Sequence, residues 1–343
     1  MTRNQPPDGW LPPGVVWVQA KQVVPRNADP GHCEHFVAEF QDLLRSLQPD
    51  LVHAGPVQSC GYIAALSGFR PVLLMSWGSD ILAATHRNEE WRCATEIALR
   101  GATGFFCDCN AVRALATGIV AFPDSRIVQF PWGIQRGRFA PAGPKPERAE
   151  FTSLPDAITF ISTRSWEPMY DIDVLLEAFH QAHRVNRRLR LLLLGDGSEA
   201  GRIRDFIVTR KLAEVVRTPG QITGEELPRW FRAADAYISC AKSDGTSISL
   251  LEAMATGLAV IATDIPSNRE WITPGENGWL APVGCSEQFA ERILRAANLS
   301  GGEREAISLR NQQIVSQRAD WDKNFPALIE MYERLRRVAT DGT

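Results

Sequence analysis

The segment Ser243-Asp-Gly-Thr-Ser-Ile-Ser-Leu-Leu-Glu252-Ala-Met-Ala-Thr-Gly257 gathers side chains that could act together on one ligand. An acid (Asp244), a glycine (Gly245) and hydroxyls (Thr246, Ser247, Ser249) stand just ahead of an apolar run. This is the chemistry of a helix start. Ser247 or Ser249 can cap the first turn, whose leading N–H groups have no partners within the helix. Such an end carries partial positive charge and suits phosphate. Gly245 lets a ligand come close to the backbone. Glu252, about one turn further in, can accept two hydrogen bonds from a vicinal diol such as ribose. Asp244, on the other side of the phosphate position, could hold sugar hydroxyls. The plainer alternative is a capped turn with a solvated acid at each end, and spacing alone leaves both open.

The elements around this segment alternate strand and helix. In the first part of the chain, Val15 to Val18 reads as a strand and Glu34 to Leu47 as a helix. Leu51 to Gly55 and Pro71 to Ser76 read as strands, Trp91 to Arg100 as a helix, and Gly104 to Cys107 and Ile127 to Phe130 as strands. A proline-rich stretch from Phe139 to Arg148 reads as an exposed linker. Alternation then resumes with Ala157–Ser162, Ile172–Val185, Leu189–Leu194, Gly201–Thr209, Ala236–Ser239, Ser249–Ala255 and Leu258–Ala262. The expected fold class is α/β, with two Rossmann-like parallel-sheet domains facing a cleft. Residues 1–145 would form the first, shortened domain and 146–320 the second; 321–343 would form a helix packing back toward the first. Ligands are then expected beyond the C-terminal ends of the strands.

Composition narrows the function classes. Among 343 residues, 37 Lys and Arg against 40 Asp and Glu give a net charge of -3. That balance argues against broad nucleic-acid binding, which needs a basic surface. No apolar run is long enough to span a bilayer, and the opening residues lack a signal-peptide core. The expected location is cytoplasmic. The short basic run Arg184, Arg187, Arg188, Arg190 leaves room for peripheral contact with the inner membrane face.

Several smaller clusters have plain readings. The seven scattered cysteines imply no disulfide framework. His32-Cys33-Glu34-His35 and Cys107-Asp108-Cys109 lack the paired spacings of a zinc site. Asp171-Ile-Asp173 spells a D-x-D, but its place before a helix favours capping. No metal is expected. Asp80, after the buried strand and Trp77-Gly78-Ser79, is either an acid facing the cleft or the cap of the next turn. His53 at a strand end is more often structural.

The segment Asp244 to Glu252, with the following Ala-Met-Ala-Thr-Gly-Leu-Ala-Val-Ile-Ala-Thr-Asp, strongly resembles the retaining family-4 glycosyltransferases of the GT-B fold. Their hallmark is an acid, seven residues, then a glutamate. Asn268-Arg-Glu270-Trp-Ile, Gly275-Glu-Asn-Gly278-Trp-Leu, and Arg164 ahead of Asp173-Val-Leu-Leu-Glu-Ala-Phe179 also match; Trp77-Gly-Ser-Asp80 and Pro131-Trp-Gly133-Ile match more loosely.

The resemblance implies retaining, metal-independent transfer of a sugar from a nucleotide-diphosphate-sugar, serving as co-substrate, to an acceptor hydroxyl. The products would be bacterial-type polysaccharides, glycolipids or small glycosides, and the acceptor could be lipid-linked. Arg164 and Asp244 would be catalytic, Arg164 by neutralising the leaving diphosphate. Gly245, Thr246, Ser247, Ile248, Ser249 and Glu252 would bind the donor, with the base near Gly195, Gly220 and Ile222. Trp77, Asp80 and His53 would lie on the acceptor side.

The chain departs from the family in four places. Asp244 stands where Glu is common, and Trp77 stands where many members have His. No Lys follows Arg164 at the usual distance, although Lys242 or another arginine could substitute. The usual opening strand and Gly-rich loop are missing. A catalytically degenerate nucleotide-sugar-binding or partner protein, or a GT-B-fold nucleotide-sugar epimerase, is the alternative.

Overall fold

Runs of aliphatic and β-branched residues become parallel strands covered on both faces. The computed structural model describes residues 13–18, 29–135, 137–143, 154 and 156–340. The chain divides into two compact units. The first holds residues 1–108, 112–129 and 327–343, and the second holds 109–111 and 130–326.

In the first unit, strands β1 (Val52–Ala54), β2 (Val72–Met75), β3 (Gly104–Cys107) and β4 (Ile127–Gln129) form a sheet in sequential order. All its pairings are parallel. The helix Glu89–Gly101 connects toward β3 and starts where the Asn88 side chain accepts from the Trp91 N–H. The helix Trp321–Thr340 contributes its part from Ala327 onward to this unit. Its Leu328, Met331 and Leu335 are buried there.

The second unit has a six-stranded parallel sheet ordered β10-β9-β8-β5-β6-β7. The strands are β5 (Ile158–Ser162), β6 (Leu189–Leu194), β7 (Val216–Gly220), β8 (Ala236–Ser239), β9 (Ala259–Thr263) and β10 (Gly278–Ala281). Alternate residues feed two separate cores, as a two-residue side-chain period requires. Phe160, Leu191, Leu193, Ile238 and Ile261 enter one cluster; Ile161, Leu192, Leu194, Tyr237 and Val260 enter the other. From β5 the chain runs outward to β6 and β7, then returns to β8 on the other side of β5. The loops after β5 and β8 therefore part at a switch point, where an open α/β sheet leaves a crevice.

Two sequence expectations are corrected here. Val15 to Val18 forms no strand: it pairs with no ladder, and Val15, Val16 and Val18 are exposed. The linker does not begin at Phe139, because that ring is buried and meets Phe231 edge-on at 5.8 Å. Residues 144–148 of that stretch lie outside the described residues.

Candidate active site

Both loops at the switch point deliver charge. Arg164 follows β5, and Asp244 follows β8. Arg164 Nη2 donates to Asp244 Oδ2 at 2.7 Å, and Nη1 donates to Ser247 Oγ at 2.7 Å and Ser249 Oγ at 3.1 Å. The two charged side chains are only 10% and 19% exposed. The Tyr170 ring covers the guanidinium, 4.2 Å from ring centroid to Cζ, close enough for cation–π attraction. Tyr237 extends the network through a 2.8 Å contact between its hydroxyl and Ser249 Oγ. Burial opposes the Arg164 charge, but Asp244, Tyr237 and Tyr170 together outweigh it, so the guanidinium stays charged. Burial also raises the Asp244 carboxyl above its ordinary value, while Arg164 pulls it back.

The helix Ile248–Ala255 begins at this network. Ser247 is its cap and accepts from the Leu250 N–H at 3.4 Å. Ser249 instead faces Arg164 and Tyr237. Gly245, Thr246 and Ser247 are buried, whereas Ile248 at the helix start is exposed. Gly257 takes a positive φ of 82° as the helix ends and β9 begins. Glu252 lies within the helix and is partly buried. Burial pushes its carboxyl up to about 7, against the attraction of Arg138 and Arg164.

The base-side positions gather beyond β6 and β7. Gly195 N–H donates to Gly220 O at 2.9 Å, joining the two strand ends. Gly195 has φ +121°, and a Cβ there would lie 2.5 Å from the Arg164 carbonyl oxygen. Glycine is thus required where the β6 loop passes under the arginine-bearing loop. Ile222 packs against the core cluster beneath β7.

Other expectations change on this geometry. Asp171 does not cap the Ile172–Val185 helix: its φ is 49° and its side chain makes no capping bond. Its carboxylate lies 3.3 Å from Lys242 Nζ, and Asp173 pairs with Arg202. Lys242 also donates to Pro168 O at 3.2 Å, and its backbone N–H donates to Met169 O at 2.8 Å.

In the first unit, Asp80 is a structural anchor rather than an acceptor-side acid. Its buried carboxylate accepts from Ser76 Oγ (2.6 Å) and from the N–H groups of Val57, Trp77 and Ile81 (2.9–3.0 Å). His53 is also structural. Its Nδ1 lies 2.7 Å from the Tyr332 hydroxyl, and burial lowers its imidazole to about 4. Trp77, by contrast, is 58% exposed. Among the described residues, no group of three or more His, Cys, Asp or Glu side chains could hold a metal ion, and no helix is long and apolar enough to cross a membrane.

Sequence reasoning missed three members of the site. Tyr170 and Tyr237 enter through packing, and Arg138 reaches Glu252 electrostatically from a segment read as the edge of a linker. A tyrosine following an arginine in a loop carries no spacing signal for stacking.

Comparison with known proteins places the family and the fold. The family model for glycosyl transferases group 1 matches residues 145–314, and a glycosyl transferase 4-like model matches residues 26–109. The D-inositol 3-phosphate glycosyltransferase of Actinosynnema mirum is 28% identical over 231 residues, covering 65% of this chain and 55% of that protein. The chain thus spans about half the length of that curated relative. Among solved structures, sucrose-phosphate synthase from Thermosynechococcus elongatus superposes with a TM-score of 0.80 at 19% identity, over 92% of this chain and 81% of that one. Anabaena Alr3699/HepE in complex with UDP-glucose gives 0.72 at 19% identity, over 92% and 84%. At such identities the structural likeness speaks for the fold. Matched by glycosyl transferase models in both units and sharing their two-sheet architecture, the chain belongs to the group 1 glycosyl transferases of the GT-B fold.

Proposed function

We propose that the chain transfers a sugar from a nucleotide-diphosphate-sugar to an acceptor hydroxyl, with retention of anomeric configuration and without a metal. The observation that carries this reading is Arg164, clamped to the capped start of the Ile248–Ala255 helix at the switch point. A diphosphate seated there would meet a guanidinium and unpaired helix N–H groups together. The buried Arg164 Nε has no hydrogen-bond partner in the structure, which leaves a further donor for phosphate.

In the proposed step the anomeric C–O bond to phosphate breaks and a new C–O bond forms to the acceptor. The acceptor proton passes to the leaving phosphate. Charge grows on that phosphate as the bond breaks, so Arg164 and the helix start act more strongly at the transition state than before it. Asp244 would hold sugar hydroxyls, and Glu252 would hold the ribose. Gly195, Gly220 and Ile222 would border the base. That Alr3699/HepE was solved with UDP-glucose makes a uridine donor the first to try. Trp77 remains the acceptor-side candidate in the first unit, and peripheral membrane contact at a cytoplasmic location belongs to the same proposal.

A second reading, donor binding without transfer, is favoured by one observation. Met169 stands where the resemblance leads one to expect a lysine, and Lys242, a candidate substitute, is engaged by Asp171. Calorimetry and hydrolysis with UDP-, GDP- and ADP-sugars on wild type and Glu252→Ala test both. Tight binding of one donor, lost in the variant, with slow release of free sugar supports the enzyme. Binding with neither hydrolysis nor transfer across an acceptor panel supports the second reading. No donor bound by folded protein refutes both.

A further inference from the structure

We infer that Asp244 discriminates against sugar-free nucleoside diphosphate, acting as a gate on Arg164 that only an intact sugar donor opens at little cost. The inference rests on the donor site proposed above and deepens it.

The starting observation is that the Arg164 charge is already neutralised within the protein. Arg164 and Asp244 pair at 2.7 Å, each largely buried, while Ser247 and Ser249 take the other terminal nitrogen of the guanidinium. A diphosphate arriving at the helix start must compete with Asp244 for that cation. A nucleoside diphosphate without sugar brings phosphate oxygens, which are acceptors, and nothing near them that could donate to the displaced carboxylate. Asp244 would then be left buried, without its partner and beside further negative charge, which is among the costlier arrangements in a protein. A sugar donor brings hydroxyls as well. These can donate to Asp244 while Arg164 turns to the phosphate, so every charge keeps a partner.

The same exchange runs in reverse after transfer. Once the sugar has left on the acceptor, its hydroxyls leave Asp244 too. The carboxylate then recaptures Arg164 and displaces the nucleoside diphosphate. The ion pair therefore favours substrate over product at one set of phosphate contacts. Ser267 Oγ donates to the Asp244 carbonyl at 2.8 Å and fixes the backbone from which the carboxylate reaches Arg164.

The experiment measures Kd for UDP and UDP-glucose by calorimetry, then for the GDP and ADP pairs, on wild type, Asp244→Asn and Asp244→Ala. Glu252→Ala serves as the donor-site control. With the anion removed, both Asp244 variants should bind the nucleoside diphosphate about tenfold more tightly than wild type. They should bind the sugar conjugate no more tightly, so preference for the conjugate collapses. If one variant fails to fold, the other carries the measurement. Nucleotide binding that is lost in Glu252→Ala but unchanged or weaker in the Asp244 variants overturns the gate and leaves the donor site standing. Failure of wild type to bind any nucleoside diphosphate or conjugate overturns the donor site and the gate with it.

Discussion

Glu252→Gln should make the protein more stable, and increasingly so as pH rises. The wild-type carboxyl is raised from 4.5 to about 7, chiefly by burial. Between those values the folded protein keeps a proton that the unfolded chain releases. Native protein therefore binds more protons, and stability falls as pH rises through this window. At about 1.4 kcal/mol for each pH unit between the two values, ionising Glu252 costs roughly 1 kcal/mol at pH 5 and roughly 3 kcal/mol at pH 8. The glutamine cannot ionise and escapes that cost. Urea denaturation of both proteins at pH 5, 6, 7 and 8 should show the variant's advantage widening by roughly 2 kcal/mol, which corresponds to about 3 °C in thermal midpoint. A difference that stays constant across pH would refute the reasoning, because no proton would then be linked to this side chain. Donor binding should run the other way: ribose needs the ionised carboxylate, so wild-type donor affinity should climb as pH passes 7, while Glu252→Gln stays weak throughout.

Arg164→Ala should cost about 3–5 kcal/mol by leaving Asp244 buried without its cation, and combining it with Asp244→Asn should recover much of that loss in a denaturant titration. Gly195→Ala should destabilise by at least about 2 kcal/mol, because its backbone is left-handed and its Cβ would lie 2.5 Å from Arg164 O; equal thermal midpoints for variant and wild type would contradict this. His53, lowered to about 4, should give NMR shifts of a neutral ring at pH 6. Its folded value lies below the unfolded 6.5, so its contribution to stability is lost as pH falls from about 6.5 toward 4, and His53→Phe should lessen that acid sensitivity.

Four strands of the second sheet were legible because their residues obey one rule, whereas β7, with Arg217 and Thr218 exposed, and β10 went unread. Apolar runs such as Ile158–Ser162 and Ala259–Thr263 are buried at every position, so both strand and parallel sheet follow from them. Asp244, Ser247 and Glu252 were legible because they share one helix start, where chemistry and sequence order coincide. Arg164 stood out only through resemblance, since nothing local ties it to a segment eighty residues later. Asp80 and His53 show what spacing cannot carry. An acid after a strand can face solvent or turn inward, and the donors that decide, Val57 N–H and Ser76 Oγ, are set by tertiary packing. Tyr332, which meets His53, lies at the far end of the chain. Asp171 reads as a cap, but a left-handed backbone turns its carboxylate toward Lys242 instead.

The helix from Trp321 to Thr340 changes hands along its length: up to Pro326 it counts with the second unit, and from Ala327 with the first. The first unit is therefore not a continuous stretch of chain. Its Gly104 lies so close to Leu335 that a methyl group there would sit 3.0 Å from the leucine. A ribosome delivers β1 to β4 long before it delivers Leu328, Met331 and Leu335, so the first sheet must wait, partly uncovered, while the whole second unit is synthesised. Cutting the gene between the sheets would make that wait permanent. A fragment ending near residue 143 would expose the surface those three side chains cover, whereas one that grafts residues 327–340 back onto it would restore the missing layer.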